Sequence, residues 1–233
     1  MGRKRKQAGW GTRLLALLAL VALAGGIWVW WHLTHWVPAE AEYPDQGLLA
    51  GERDGPVSFR TAAALGAKFA YLEASDGATA RDSRFARNLA AAREAGLQVG
   101  AVHRFDPCVM ADRQSANFVT MVPRGNWLLP PAIALDRTIA DCPEALPDAA
   151  VASELMTLIN QIEMHAGKPA ILLLGEQFEQ RHPVAARIDR HLWLTGTRLE
   201  PGYGGRPWVL WTANEALESE IGEEPVRWVV ARP

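Results

Sequence analysis

The chain is short of the residues that most cofactor and nucleophile chemistries require. Its 233 residues include two cysteines, Cys108 and Cys142, so at most one intrachain disulfide can form. Six histidines are present, and His165, His182 and His191 show no metal-ligand spacing. No Gly-rich phosphate loop and no nucleophile elbow occurs. Gly202-Tyr-Gly-Gly205 precedes an apolar run and reads as a loop, not a dinucleotide fingerprint. These absences imply neither metal nor cofactor. Positive charge is also scarce past the N-terminus. Residues 14–233 carry 19 Lys and Arg against 26 Asp and Glu, a net of −7, which argues against nucleic acid as a partner. Repeats and low-complexity segments are absent, and the length suits one domain with an appendage.

The appendage is N-terminal. Residues 1–13 form a basic flank with five Lys and Arg and no acid. Residues 14–37 then run without Asp, Glu, Lys or Arg, long enough to span a bilayer. Five of the ten tryptophans lie in the first 36 residues: Trp10 on one side of the run, and Trp28, Trp30, Trp31 and Trp36 towards the other, like interfacial belts. The positive-inside rule then predicts a single-pass anchor in a bacterial-type inner membrane, with a cytoplasmic N-terminus and the rest on the periplasmic side. The alternative is a signal peptide cleaved after Ala39-Glu-Ala41. Residues 38–46 read as a linker and 47–233 as the exported domain. An exported domain meets an oxidising compartment, where Cys108 and Cys142 can pair; two free buried thiols are the other reading.

In the exported domain short apolar runs alternate with helical patterns. Strands are expected at 47–50, 68–74, 99–105, 132–135, 169–174, 192–195, 208–211 and 228–231. Helices are expected at 58–65, 83–95, 111–122 and 149–166, with Phe85, Leu89 and Ala92 as one apolar face and Leu155, Leu158, Ile159 and Ile162 as another. Alternating β and α with buried strands predicts a parallel sheet, and eight strands suggest closure into an α/β barrel of the TIM type. The run 132–135 ends on Asp136, where such barrels place catalytic groups. Sugar-cleaving sites usually need two carboxyls. Side chains two apart on a strand share a face, so the natural partner of Asp136 is position 138, which is threonine.

Several motifs then fall in a familiar order: Tyr43-Pro44, Gly55-Pro-Val-Ser-Phe59, Phe69-Ala-Tyr-Leu-Glu-Ala-Ser-Asp-Gly77, Gly100-Ala-Val-His-Arg-Phe105, Gln114-Ser-Ala-Asn-Phe118, Leu129-Pro-Pro131, Gly167-Lys-Pro169, Leu192-Trp193 and Trp208-Val-Leu-Trp211. From about Tyr43 to Arg232 the chain resembles glycoside hydrolase family 25, the lysozyme-like muramidases. That resemblance implies an eight-stranded β/α barrel with five helices and a peptidoglycan substrate. It also implies a cluster of acids at the barrel mouth, most of which this chain lacks. The first-strand acid falls on Leu49, the fourth-strand glutamate on Thr138 and the last-strand aspartate on Arg227. Asp136 is retained. Asp76 stands for a second-strand glutamate, His103 is kept, and Thr212 and Ala213 replace a glutamine and a tyrosine. The resemblance also puts Cys108 and Cys142 on neighbouring rim loops, where a bridge would staple the mouth.

A threonine hydroxyl does not protonate a glycosidic oxygen at neutral pH, and general acid catalysis contributes roughly 10²- to 10⁴-fold. The expected protein is therefore a degenerate family member, a catalytically impaired domain that binds peptidoglycan or a related glycan, or a protein partner in the envelope. The alternative is an active muramidase using Asp136 with a rearranged acid such as Asp76; a purely structural envelope protein is a third. Asp76, His103 and Trp211 are candidate cleft residues. Arg227 is expected to pair with Asp136. Trp193, Trp208 and Trp211 offer sugar-stacking faces, although core packing is expected for at least two of them.

Overall fold

The structure is a computed structural model that describes residues 10–143 and 147–233. The chain divides into two compact units, one ending at Trp36 and one spanning Val37–Pro233. The first contains helix α1 (Trp10–Thr34), long and apolar enough to cross a membrane by length and composition, with none of its residues buried. Most of the basic flank expected over residues 1–13 lies outside the described residues.

The second unit is a closed eight-stranded barrel. Its strands are β1 (Gln46–Ala50), β2 (Ala67–Asp76), β4 (Gln98–Arg104), β5 (Ala132–Leu135), β6 (Ile171–Leu174), β7 (His191–Thr195), β8 (Leu210–Leu217) and β9 (Val226–Ala231). A two-residue strand, β3 (Ala80–Arg81), folds back on the end of β2. Neighbours run β1-β9-β8-β7-β6-β5-β4-β2, and pairing of β1 with β2 closes the ring. Among the described residues five α-helices belong to this unit: α2 (Phe59–Ala64), α3 (Phe85–Glu94), α4 (Ala111–Met121), α5 (Asp148–Ala166) and α6 (Glu176–Arg181).

The sequence pattern predicts a parallel sheet, but the sheet is not wholly parallel. Strand β9 is antiparallel to both β8 and β1. Only residues 218–225 separate β8 from β9, and a parallel return needs a crossover of roughly a dozen residues or more. The last strand therefore turns back as a hairpin. Helix α5 buries Val151, Leu155, Leu158, Ile159 and Ile162 and ends at Gly167 in the left-handed conformation (φ 67°), which costs glycine no Cβ clash. Helix α3 buries Phe85, Asn88 and Ala92; Leu89, expected on that face, is only half-buried.

Inside the barrel, one layer of side chains comes from alternate positions on the strands. It includes Leu49, Phe69, Tyr71, Val102, Ala134, Leu173, Trp193, Leu210 and Val229. The buried rings of Tyr71 and Trp193 approach to 4.9 Å between centroids. Gly100 makes room for this layer: a Cβ there would lie 2.2 Å from the Tyr71 ring. Because strand side chains alternate with period two, the residues two steps further towards the mouth also face inward. This register selects Glu73, Arg104, Asp136, Gly175, Thr195, Thr212 and, reading backwards along antiparallel β9, Arg227.

Candidate active site

The residues selected by that register line an open cavity of about 380 Å³ at the C-terminal ends of the parallel strands. Barrels of this kind carry their sites on this face. The floor is apolar, and the walls carry threonine hydroxyls, carboxylates and two arginines.

The arginines are held by carboxylates in a continuous chain. Arg227 donates to Glu73 Oε1 at 2.7 Å and to Asp54 Oδ2 at 2.8 Å. Glu73 Oε1 also accepts from Arg104 at 3.0 Å, and the other terminal nitrogen of Arg104 donates to Asp136 Oδ2. Asp76 lies 3.8 Å from Arg104 Nε and takes a two-pronged pair from Arg137 at 2.6 and 2.7 Å. Burial pushes the Glu73 carboxyl up, but Arg227, Arg104 and Arg53 together hold it below its ordinary value. Burial acts to lower Arg227, and its pairing with Glu73 and Asp54 outweighs that, so its pKa is raised. These groups are mostly shielded from solvent, and charges taken out of water need such partners.

The expected Arg227–Asp136 pair does not form. Around the ring, β9 adjoins β1, which adjoins β2, so Arg227 reaches Glu73; Arg227 lies opposite Leu49 in the β1–β9 ladder. Asp136 follows β5, and the adjacent strand β4 presents Arg104 to it. Glu73 and Arg104 are two cavity residues that the sequence reading missed. Each carries a charge at an inward-facing strand position, and a charge entering a barrel interior demands a counter-charge.

The other candidate positions divide by strand parity. Leu49 faces the cavity from β1. Thr138 lies past the end of β5, and its hydroxyl accepts from the Ala140 backbone at 3.3 Å. His103 points away from the interior, because Val102 and Arg104 on either side point in. It is fully buried, with Nδ1 2.8 Å from Ser75 Oγ and Nε2 3.4 Å from Gln114. Burial lowers its pKa to about 4, against the smaller opposing effects of Gln114 and Asp76. It is a neutral core imidazole and does not line the cavity. Trp211 is likewise buried, outside the barrel, against Tyr43 and Trp208, and donates to Gly196 O at 2.6 Å. Trp193 and Trp208 are buried too, so none of the three offers an open stacking face. Glu215 on β8, absent from the sequence reading, lines the cavity and makes no ion pair among the described residues.

Cys108 and Cys142 form a disulfide with Cα atoms 5.3 Å apart. It joins the loops that follow the paired strands β4 and β5. Asp106 Oδ1 accepts from the Cys108 backbone at 2.9 Å.

Hydrolysis of a glycosidic bond needs two carboxyls flanking the bond, ~5–9.5 Å apart. Asp136 and Glu73 instead flank the Arg104 guanidinium, which both of them grip. A cation therefore stands between these two carboxylates.

Residues 51–215 match the family described as Glycosyl hydrolases family 25. A family 25 glycosyl hydrolase from Bacillus anthracis has a similar structure, with a TM-score of 0.76 at 24% identity over 87% of this chain and 94% of that one. A bacterial lysozyme from Streptomyces coelicolor aligns with a TM-score of 0.70 at 17% identity over 81% of this chain and 92% of that one. An uncharacterized Escherichia coli protein, YegX, is 25% identical over 62% of this chain. The alignment spans about half (52%) of the YegX sequence.

Proposed function

The chain belongs to glycosyl hydrolase family 25, and on that premise we propose that it is a membrane-anchored, catalytically impaired muramidase-like domain that binds peptidoglycan glycan strands without cutting them. The observation that carries this reading is the Arg104 guanidinium gripped by both Glu73 and Asp136. Thr138 and Arg227 strengthen it, since neither can act as the missing acid. The apolar helix Trp10–Thr34 beside a basic N-terminus supports anchoring with the barrel outside the cytoplasm, and the Cys108–Cys142 bridge suits an oxidising compartment.

Incubating the full-length protein, in detergent micelles, with insoluble peptidoglycan tests both halves of the reading. Co-sedimentation of the protein with no soluble muropeptide in the supernatant is the expected result. Protein left in the supernatant would refute binding, and soluble fragments would refute impairment. One observation favours a second reading, an active hydrolase: Glu215 lines the same cavity as Asp136 and has no ion partner among the described residues. On that reading fragments appear and Glu215→Gln abolishes them. Asp76 is less suited to that part, because Arg137 and Arg104 hold it.

A further inference from the structure

The two sides of the mouth differ in what they offer a ligand. On the β4 and β9 side, both terminal nitrogens of Arg104 and of Arg227 are engaged by carboxylates. On the β5–β8 side, acceptors stand open. Only Oδ2 of Asp136 meets Arg104; Oδ1 has no hydrogen-bond partner among the described residues, and the side chain is 40% exposed. Glu215 is exposed and lines the same cavity. Glu176 begins the short helix that follows Gly175, a cavity residue. Burial raises the Tyr203 hydroxyl and hydrogen bonds from Thr195 lower it, while Glu176 and Glu215 both raise it further.

The cavity therefore presents acceptors and negative charge over an apolar floor of Leu49, Val102, Ala134 and Leu173. That floor suits the carbon face of a sugar ring. A ligand must bring donors and positive charge to the acidic side. An N-acetylated hexosamine brings hydroxyls and one amide N–H, whereas a free amino group brings an ammonium with three donors.

We propose that the mouth selects glycan strands whose hexosamines carry free amino groups, with the ammonium seated between Asp136 and Glu215. This rests on the glycan-binding reading above and adds the sugar class to it.

Calorimetric titration of the full-length protein in detergent micelles, at mildly acidic pH, compares chitohexaose with its fully deacetylated counterpart. Binding of the deacetylated hexamer about tenfold more tightly is expected, equivalent to ~1.4 kcal/mol, with the preference shrinking as salt is added. Glu215→Gln should reduce the preference to less than about threefold, ~0.6 kcal/mol, and a urea unfolding midpoint unchanged from the parent's shows that the fold is intact. Equal affinity of the unaltered protein for both hexamers would overturn the amine preference and leave glycan binding standing. Failure of both to bind would overturn the glycan-binding reading as well. A lysine tripeptide that competes as well as the deacetylated hexamer would assign the seat to a peptide amine and overturn the sugar assignment.

Discussion

Replacing Arg227 with methionine removes the cation that Glu73 and Asp54 share and keeps most of the side-chain volume. The side chains of Arg227, Glu73 and Asp54 are 22, 15 and 13% exposed, so solvent screening is limited. Breaking a buried pair by removing one partner costs ~3–5 kcal/mol. Here Glu73 keeps Arg104 at 3.0 Å and Asp54 keeps the Gly51 backbone N–H at 2.6 Å. The loss should therefore be about 2–3 kcal/mol at neutral pH. The double change Glu73→Leu with Arg227→Met removes both charges of the pair and should cost roughly 2 kcal/mol less than the sum of the two single changes. Because the folded Glu73 pKa is depressed, its contribution is present above the unfolded value of 4.5 and is lost as pH falls through the folded one. The gap between Arg227→Met and the parent should narrow below that pH. Urea unfolding followed by tryptophan fluorescence, with the full chain in detergent micelles, measures all three quantities. An Arg227→Met change within about 0.5 kcal/mol of the parent, the range of an ordinary surface substitution, would refute the view that this arginine holds the mouth together.

Restoring one acid should not restore hydrolysis. Thr138→Glu is expected to release no reducing ends from peptidoglycan, because Arg104 still grips Asp136 and Arg227 remains; release within tenfold of a working muramidase would contradict this. Replacing both Cys108 and Cys142 with serine should lower stability by about 3–4 kcal/mol by the loop-entropy argument for their 34-residue separation, read as a drop in Tm that matches the effect of reductant on the parent. Burial of His103 lowers its folded pKa to about 4 from an ordinary 6.5, so the unfolded chain binds the extra proton between those values. Stability is then full above pH 6.5 and falls by roughly 2–3 kcal/mol on going to pH 4. His182, also lowered by burial, acts in the same direction, and the raised Asp82 opposes them at the acid end. A urea midpoint that does not change between pH 6.5 and 4.5 would count against a buried neutral His103.

Much of the barrel was legible because its strands are short apolar runs set between amphipathic helices, and that pattern survives without any knowledge of pairing. Strand direction was not legible at the end of the chain. Val226–Ala231 is apolar whichever way it runs, and only the short 218–225 connection decides the antiparallel return. Helix α6 was missed because Glu176–Arg181 is six residues long and buries only Phe178. The mouth was legible as a place, but its pairings were not. Arg227 and Asp136 do face one mouth, yet each meets the charge on a nearer strand, Glu73 and Arg104 respectively. Those two residues sit two steps beyond Tyr71 and Val102, and an inward parity count along β2 and β4 would have found them. The same count separates Trp211 from the cleft: Leu210 and Thr212 face in, so Trp211 faces out.

The central claim is that arginine-held carboxylates and a threonine in place of the second acid leave this family 25 barrel unable to cut glycan. A time course of reducing-end release from purified peptidoglycan by the full-length protein, run beside Asp136→Asn, tests it most directly. The account predicts no release above buffer for either protein. Release by the parent chain that disappears with Asp136→Asn would contradict it.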